Sequence, residues 1–230
     1  MQSHKPYALT TALGLAVLVI FVSATPSAFA HQRALYTIGD KDYLIVIGSL
    51  NEPVYVDDKS GVDLRVLNAD PNNPMNSSAA GVTPVEGLDQ TLQVEVSAGN
   101  KTKGMQLEPA FGEPGAYETT FYFTVPTTVT YRLFGTINNT PVDLKFTCVP
   151  TGEAGAAADN STAQISQGVV RKGLEGGFGC PSPLTDAGFP EPLTSNFDVT
   201  TRLDQLQSEI SPMNTSAGSL ATNNTTAPIA

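Results

Sequence analysis

The stretch VTYRLFGTINNTPVDLKFTC, residues 129 to 148, decides the fold class. Val129, Tyr131 and Leu133 recur at every second position, and so do Val142, Leu144 and Phe146. A two-residue period sends successive side chains to opposite faces of an extended chain, so each run has one apolar and one wet face. Cys148 keeps the parity of Val142, Leu144 and Phe146, which aims it inward near the end of the last strand.

The same pattern extends upstream. Val62, Leu64 and Val66 alternate with Asp63 and Arg65, and Leu92, Val94 and Val96 alternate with Gln93, Glu95 and Ser97. Tyr117, Phe121 and Phe123 share one parity, while Leu44-Ile45-Val46-Ile47 is a continuous apolar run of the kind found in well-buried strands. Gly, Pro, Asn and Asp separate the runs, which argues for antiparallel sheets with one wet face each. Roughly seven or eight such strands in about 115 residues is the size of an immunoglobulin-like β-sandwich, its core built from two interdigitating inner faces. The expected fold is therefore all-β. The chain has no tryptophan, and its cysteines are not at inter-sheet spacing, so an antibody-type domain is not expected. Tyr117 reads either as a corner tyrosine or as an ordinary core aromatic.

Outside the sandwich, expected over residues 31 to 150, the composition changes. Residues 151 to 195 read as a small, polar linker and a largely irregular extension, with Gly176, Gly177 and Gly179 permitting a turn that returns Cys180 to the domain. Leu203, Leu206 and Ile210 have helical spacing, Thr201 with Asp204 resembles a capping pair, and Pro212 ends the segment, giving a short amphipathic helix over 196 to 212. About three turns is marginal for an isolated helix in water. Its apolar side packs either on the sandwich or on a partner chain. Residues 213 to 230, rich in Asn, Thr, Ser and Ala, read as a disordered tail.

Residues 1 to 30 follow the secretory signal pattern: a short basic start at His4 and Lys5, an apolar run from Ala12 to Val22, and Ala28-Phe29-Ala30 as the cleavage site. Uncleaved, the segment would serve as an N-terminal anchor, the one expected link to a membrane. Either form places the remainder outside the cytoplasm, in the periplasm or at the cell surface. The full chain carries a net charge of −10, and removal of Lys5 with the signal leaves it one unit more negative. Such a surface repels nucleic acid and anionic lipid. Acceptor patterns for N-glycosylation occur at Asn76, Asn100, Asn138, Asn160, Asn214 and the overlapping Asn223 and Asn224, which suits an exported glycoprotein. Cys148 and Cys180, the two cysteines, read as one disulfide in an oxidising compartment. A thiolate metal site would need partners that neither cysteine has in sequence.

Enzyme chemistry finds no support. His31 is the one histidine after the signal segment, and neither a nucleophile elbow nor a zinc-protease helix motif is present. Asp70-Pro71-Asn72-Asn73-Pro74 begins like a calcium loop but lacks its glycine and closing glutamate. Asp57, Asp58 and Asp63 read either as calcium ligands between loops or as solvated turn acids. The remaining candidate is His31 itself. Cleavage before it would put an α-amine and an imidazole on one residue, a chelating nitrogen pair that favours copper(II). Asp40 and Asp42 are the nearest acids in sequence, and Met75 or Met105 would suit cuprous ion.

Pro84-Val85-Glu86-Gly87-Leu88, Phe111-Gly112-Glu113-Pro114-Gly115-Ala116-Tyr117 and Phe134-Gly135-Thr136-Ile137 carry a family resemblance. The region from His31 to Val149 resembles exported bacterial and archaeal sandwich domains similar to YtkA-like and CopC-like modules. The resemblance implies an extracytoplasmic immunoglobulin-like sandwich, sometimes in copper-handling settings. From the copper pattern of CopC-like proteins only His31 carries over, because their second histidine has no counterpart here. The expected function is an exported, non-enzymatic binding or structural protein whose partner is an envelope protein or surface component. The alternative is a copper-binding accessory protein centred on His31.

Overall fold

The structure, a computed structural model, describes residues 30–150 and 156–222. The expected signal segment, apart from Ala30, lies outside the described residues, as do Asn223 and Asn224. Two antiparallel sheets face each other. The first contains β1 (His31–Ile38), β2 (Lys41–Ser49), β3 (Lys59–Asn68), β7 (Glu108–Pro109) and β8 (Ala116–Tyr122), with β4 (Thr83–Pro84) paired to β3. The second has the order β10 (Thr140–Thr147), β9 (Val129–Ile137), β5 (Leu92–Ala98) and β6 (Lys101–Gln106). The order β2-β3-β8-β7 against β10-β9-β5-β6 is that of an immunoglobulin-type sandwich.

The alternation read from the sequence is the register of the core. Val142, Leu144 and Phe146 sit opposite Gly135, Leu133 and Tyr131, and Leu133 and Tyr131 sit in turn opposite Val94 and Val96. From the other sheet Ile45, Ile47, Val62, Leu64 and Val66 meet them, all fully buried. The β9–β10 turn is made by Asn138 and Asn139 at φ 48° and 62°, a left-handed pair that asparagine tolerates. Tyr117 is a core aromatic with a second task. Its hydroxyl donates to Val85 O at 2.6 Å and accepts from Leu88 N at 3.1 Å, tying the crossover between the sheets to β8. A corner tyrosine would tie the segment entering β9 instead.

The extension is not the irregular stretch expected. It forms β11 (Ala156–Asp159), β12 (Ala163–Ser166) and β13 (Val169–Gly176), and β13 pairs along β1 from Ile38 to Gln32. The pattern was hidden because β13 changes parity: Val169 and Leu174 both pack inward, but they are five residues apart. A bulge reconciles them. Leu35 and Tyr36, adjacent on β1, oppose Gly173 and Arg171, leaving Lys172 as the extra residue.

After β13 the chain enters one end of the sandwich. Phe178 stacks on Tyr131 with ring centroids 4.8 Å apart and planes 6° apart. Backbone bonds join Val149 N to Phe178 O, Cys180 N to Val149 O and Ser182 N to Val54 O, at 2.8 to 2.9 Å. The Cys148–Cys180 disulfide forms here, as expected, with both cysteines buried. The helix α1 runs over Asn196–Thr222, past the expected stop at Pro212 and through much of the expected tail. Pro212 lies inside it, since backbone hydrogen bonds on either side of one missing N–H can carry a helix through.

Two outcomes test this architecture. Gly135 has φ 134°, and a Cβ there would lie 2.0 Å from Thr91 O. Gly135→Ala is expected to cost on the order of 3 kcal/mol or more in denaturant unfolding. Replacing both cysteines with serine should cost about 3 to 4 kcal/mol, the loop-closure value for a disulfide of this span. A loss below about 1 kcal/mol would mean that the segment from Phe178 to Ser182, the plug of the sandwich end, is held by the Phe178 ring and backbone bonds alone.

Candidate functional site

His31 opens β1 and shares a row on the outer face of the first sheet with Gly48 and Asp63. Its ring lies over the place where β2 has no side chain. A Cβ at Gly48 would lie 2.6 Å from His31 Cδ2 and 2.7 Å from Ala30 O. Nε2 of the ring is 3.0 Å from Asp63 Oδ2. The hydrogen bond holds the first strand to the third across the second.

The other expected ligands lie elsewhere. β1 and β2 run antiparallel, so Asp40 occupies the turn at the far end from His31, and Asp42 pairs with Thr37. Six residues of strand separate that pair from His31, about 20 Å. Asp42 is engaged there by Lys172 Nζ, 2.9 Å from each carboxylate oxygen, and by Thr37 Oγ1 at 2.7 Å. Burial would raise its pKa, but these bonds hold the carboxyl below its ordinary value. Met75 Sδ sits 3.5 Å from the Cβ position of Gly173, and Met105 packs at the core edge with Thr119 Oγ1 donating to its sulfur at 3.8 Å.

Among the described residues, no group of three His, Cys, Asp or Glu side chains is placed to hold a metal ion. With Ala30 still joined to His31, the side chains gathered there are the His31 imidazole and the Asp63 carboxylate, and neither Asp40 nor Asp42 is brought to them. The calcium reading meets the same obstacle. Asp57 accepts from Asn196 N, Asp58 accepts from Asn51 Nδ2 and Lys59 N, and Asp63 faces His31, so each acid has its own partner. Asp70 accepts from Asn72 N and Gly81 N at 2.8 and 3.0 Å, closing its own loop. The acceptor asparagines Asn76, Asn100, Asn138 and Asn160 are exposed. Asn214 lies within α1.

Sequence reading missed Glu52. Its carboxylate oxygens accept from Gly179 N at 3.1 and 3.0 Å, gripping the plug segment between Phe178 and Cys180. Partial burial pushes its pKa up from 4.5 to about 7, against the lowering effects of the Gly179 bond, the His31 charge and a bond from the Ser49 backbone. Next to it, Ser49 Oγ and Tyr131 Oη are 2.9 Å apart, and burial raises the tyrosine well above its ordinary value. This polar cluster fastens the end of the sandwich. Its hydroxyls and carboxylate face one another and the backbone, an arrangement that locks structure.

The second feature is α1. Ser195 Oγ accepts from Asp198 N at 3.1 Å, and Asp198 Oδ2 accepts from Ser195 N and Oγ at 3.1 and 2.7 Å, a reciprocal cap. The cap therefore lies six residues before the expected Thr201 and Asp204. The Asp57 carboxylate also takes Asn196 N, anchoring the first turn to the sandwich. Beyond that turn the helix stands clear: Val199, Leu203, Leu206 and Ile210 are 45, 59, 53 and 48% exposed. Of the two readings for the apolar side, packing on the sandwich is not what the fold adopts. The inner faces of the sandwich bury each other, the outer face of the second sheet carries Arg132 bonded to Asp143 at 2.7 and 2.8 Å, and Leu35, Leu44 and Leu67 on the first sheet are already buried. Among the described residues, no helix is long and apolar enough to cross a membrane.

Comparison with protein-family models, curated proteins and solved structures finds no match for this chain.

Glu52 sets a pH dependence with a definite sign. The folded state holds its proton more tightly than the unfolded chain, so its contribution is full below pH 4.5 and is lost as pH rises through about 7. Thermal unfolding followed from about pH 5 to about pH 8 should show falling stability in the wild type and a flatter profile in Glu52→Gln. Equal slopes in both proteins would assign the decline to other groups.

Proposed function

We propose that the chain is an exported, non-catalytic module of the cell surface or periplasm that works by association, with the sandwich as a rigid base for α1. The observation that carries this reading is the apolar side of α1, four aliphatic residues each about half exposed on a helix that the sandwich leaves uncovered. Burying one such side chain fully is worth roughly 1.5 to 3 kcal/mol, so a partner that covers the strip gains substantially. An isolated helix of this kind also gains stability from being covered.

The setting is supported separately. A buried structural disulfide is characteristic of an oxidising, extracytoplasmic compartment. The exposed acceptor patterns at Asn76, Asn100, Asn138 and Asn160 are suited to glycans. The partner is an envelope protein or surface component that presents an apolar strip.

Cross-linking in intact cells tests the association. The wild-type chain should be recovered in a cross-linked complex, and Leu203→Glu combined with Leu206→Glu should be recovered as the free chain with its disulfide intact. An unchanged complex in the double variant would overturn the reading, as would recovery of the wild type without any partner.

A further inference from the structure

The apolar residues of α1 are spaced four, three and four apart: Val199, Leu203, Leu206 and Ile210. This is the a/d seam of a coiled coil, narrower than the face a helix turns toward a globular core. With Leu203 and Ile210 at a and Val199 and Leu206 at d, the b, c and f positions from Thr201 to Pro212 are all non-aliphatic. Pro212 falls at c, away from the seam. The spacing continues in sequence through Met213, Ala217 and Leu220, and the helix itself reaches Thr222. The strip is built to receive another helix.

The charges beside the seam indicate which helix. Between Val199 and Pro212, the e and g positions hold two charged residues, Arg202 and Glu209, both at g. In an antiparallel helix pair the g positions line one side of the seam and face each other, and the e positions line the other side. Setting Leu203 against the partner subunit's Leu206, and Val199 against the partner subunit's Ile210, brings Arg202 opposite the partner subunit's Glu209. The twofold axis repeats every one of these contacts. A slip of one heptad in either direction puts Arg202 against its own copy or Glu209 against its own copy. A parallel pair sets Arg202 against Gln207 and Glu209 against Asn214, with no opposite charges. Only the self-complementary antiparallel register satisfies both the apolar layers and the charges.

We propose that the partner of α1 is α1 of a second copy of this chain, paired antiparallel about a twofold axis between Asp204 and Gln205. The proposal rests on reading α1 as an association face and names what covers it. A single two-helix seam lies at the small end of stable interfaces, so the dimer is reversible and forms with concentration.

Sedimentation equilibrium of the purified mature chain over a concentration series tests this. The wild type should show a monomer–dimer equilibrium. Arg202→Glu alone and Glu209→Arg alone each turn two attractive pairs into repulsive ones and should weaken the dimer about tenfold. The two substitutions together should restore it, a recovery that loss of helix or of folding would not produce. A chain that is monomeric throughout, a dimer indifferent to the single substitutions, or a double variant as weak as the singles would overturn the proposal. If the purified chain is monomeric while the cross-linked complex in cells still depends on Leu203 and Leu206, the second-copy proposal falls and the association reading stands. Loss of both signals removes both.

Discussion

The Cys148–Cys180 bond is the constraint on which the rest of the molecule depends. Cys148 leaves the last core strand pointing inward, and Cys180 follows Phe178, whose ring lies flat on Tyr131 at one end of the sandwich. With both ends of the intervening chain held, β13 is delivered alongside β1 and extends the first sheet by a full strand. The same anchorage leads through Ser182, bonded to Val54, toward the start of α1, where Asp57 holds the first helical turn. One covalent link thus sets the position of an added strand and the base of an exposed helix.

The groups with the strongest chemical character mostly serve this construction. Glu52 grips Gly179, His31 bridges β1 to β3 through Asp63, Lys172 at the β13 bulge reaches Asp42, and Arg132 joins Asp143 across β9 and β10. Each would attract notice as a catalytic or metal-binding residue in isolation. In place, each carboxylate has a side-chain or backbone N–H as its partner, and these bonds tie strands and segments together. A competing ligand would first have to break one of these existing bonds.

The helix is the counter-example. Its backbone is well started by the Ser195–Asp198 cap, yet its aliphatic side chains from Val199 to Ile210 remain about half exposed. Val199, Leu203, Leu206 and Ile210 thus form an apolar strip along one side of the helix. The narrowness of the strip and the symmetry of its two charges point to a helix of the same kind.

Local patterning determined the sandwich: alternation at Val129–Leu133 and Val142–Phe146 needs only the two-residue pleat, and the inward parity of Cys148 follows from it. The disulfide was legible as well, since two cysteines behind a signal-like segment, with no metal-ligand partners in sequence, have few alternatives. What only the tertiary structure decided were relations between residues distant in sequence. A bulge at Lys172 broke the alternation of β13, so its strand character emerged only when β1 supplied the register. Asp40 and Asp42, close to His31 along the chain, were carried to the opposite end of the hairpin by the extended geometry of β1, while Asp63, thirty-two residues away, was brought to 3.0 Å. Sequence proximity measures chain length, whereas a sheet places side chains by register. That difference separates what could be read from the residues from what the fold had to supply.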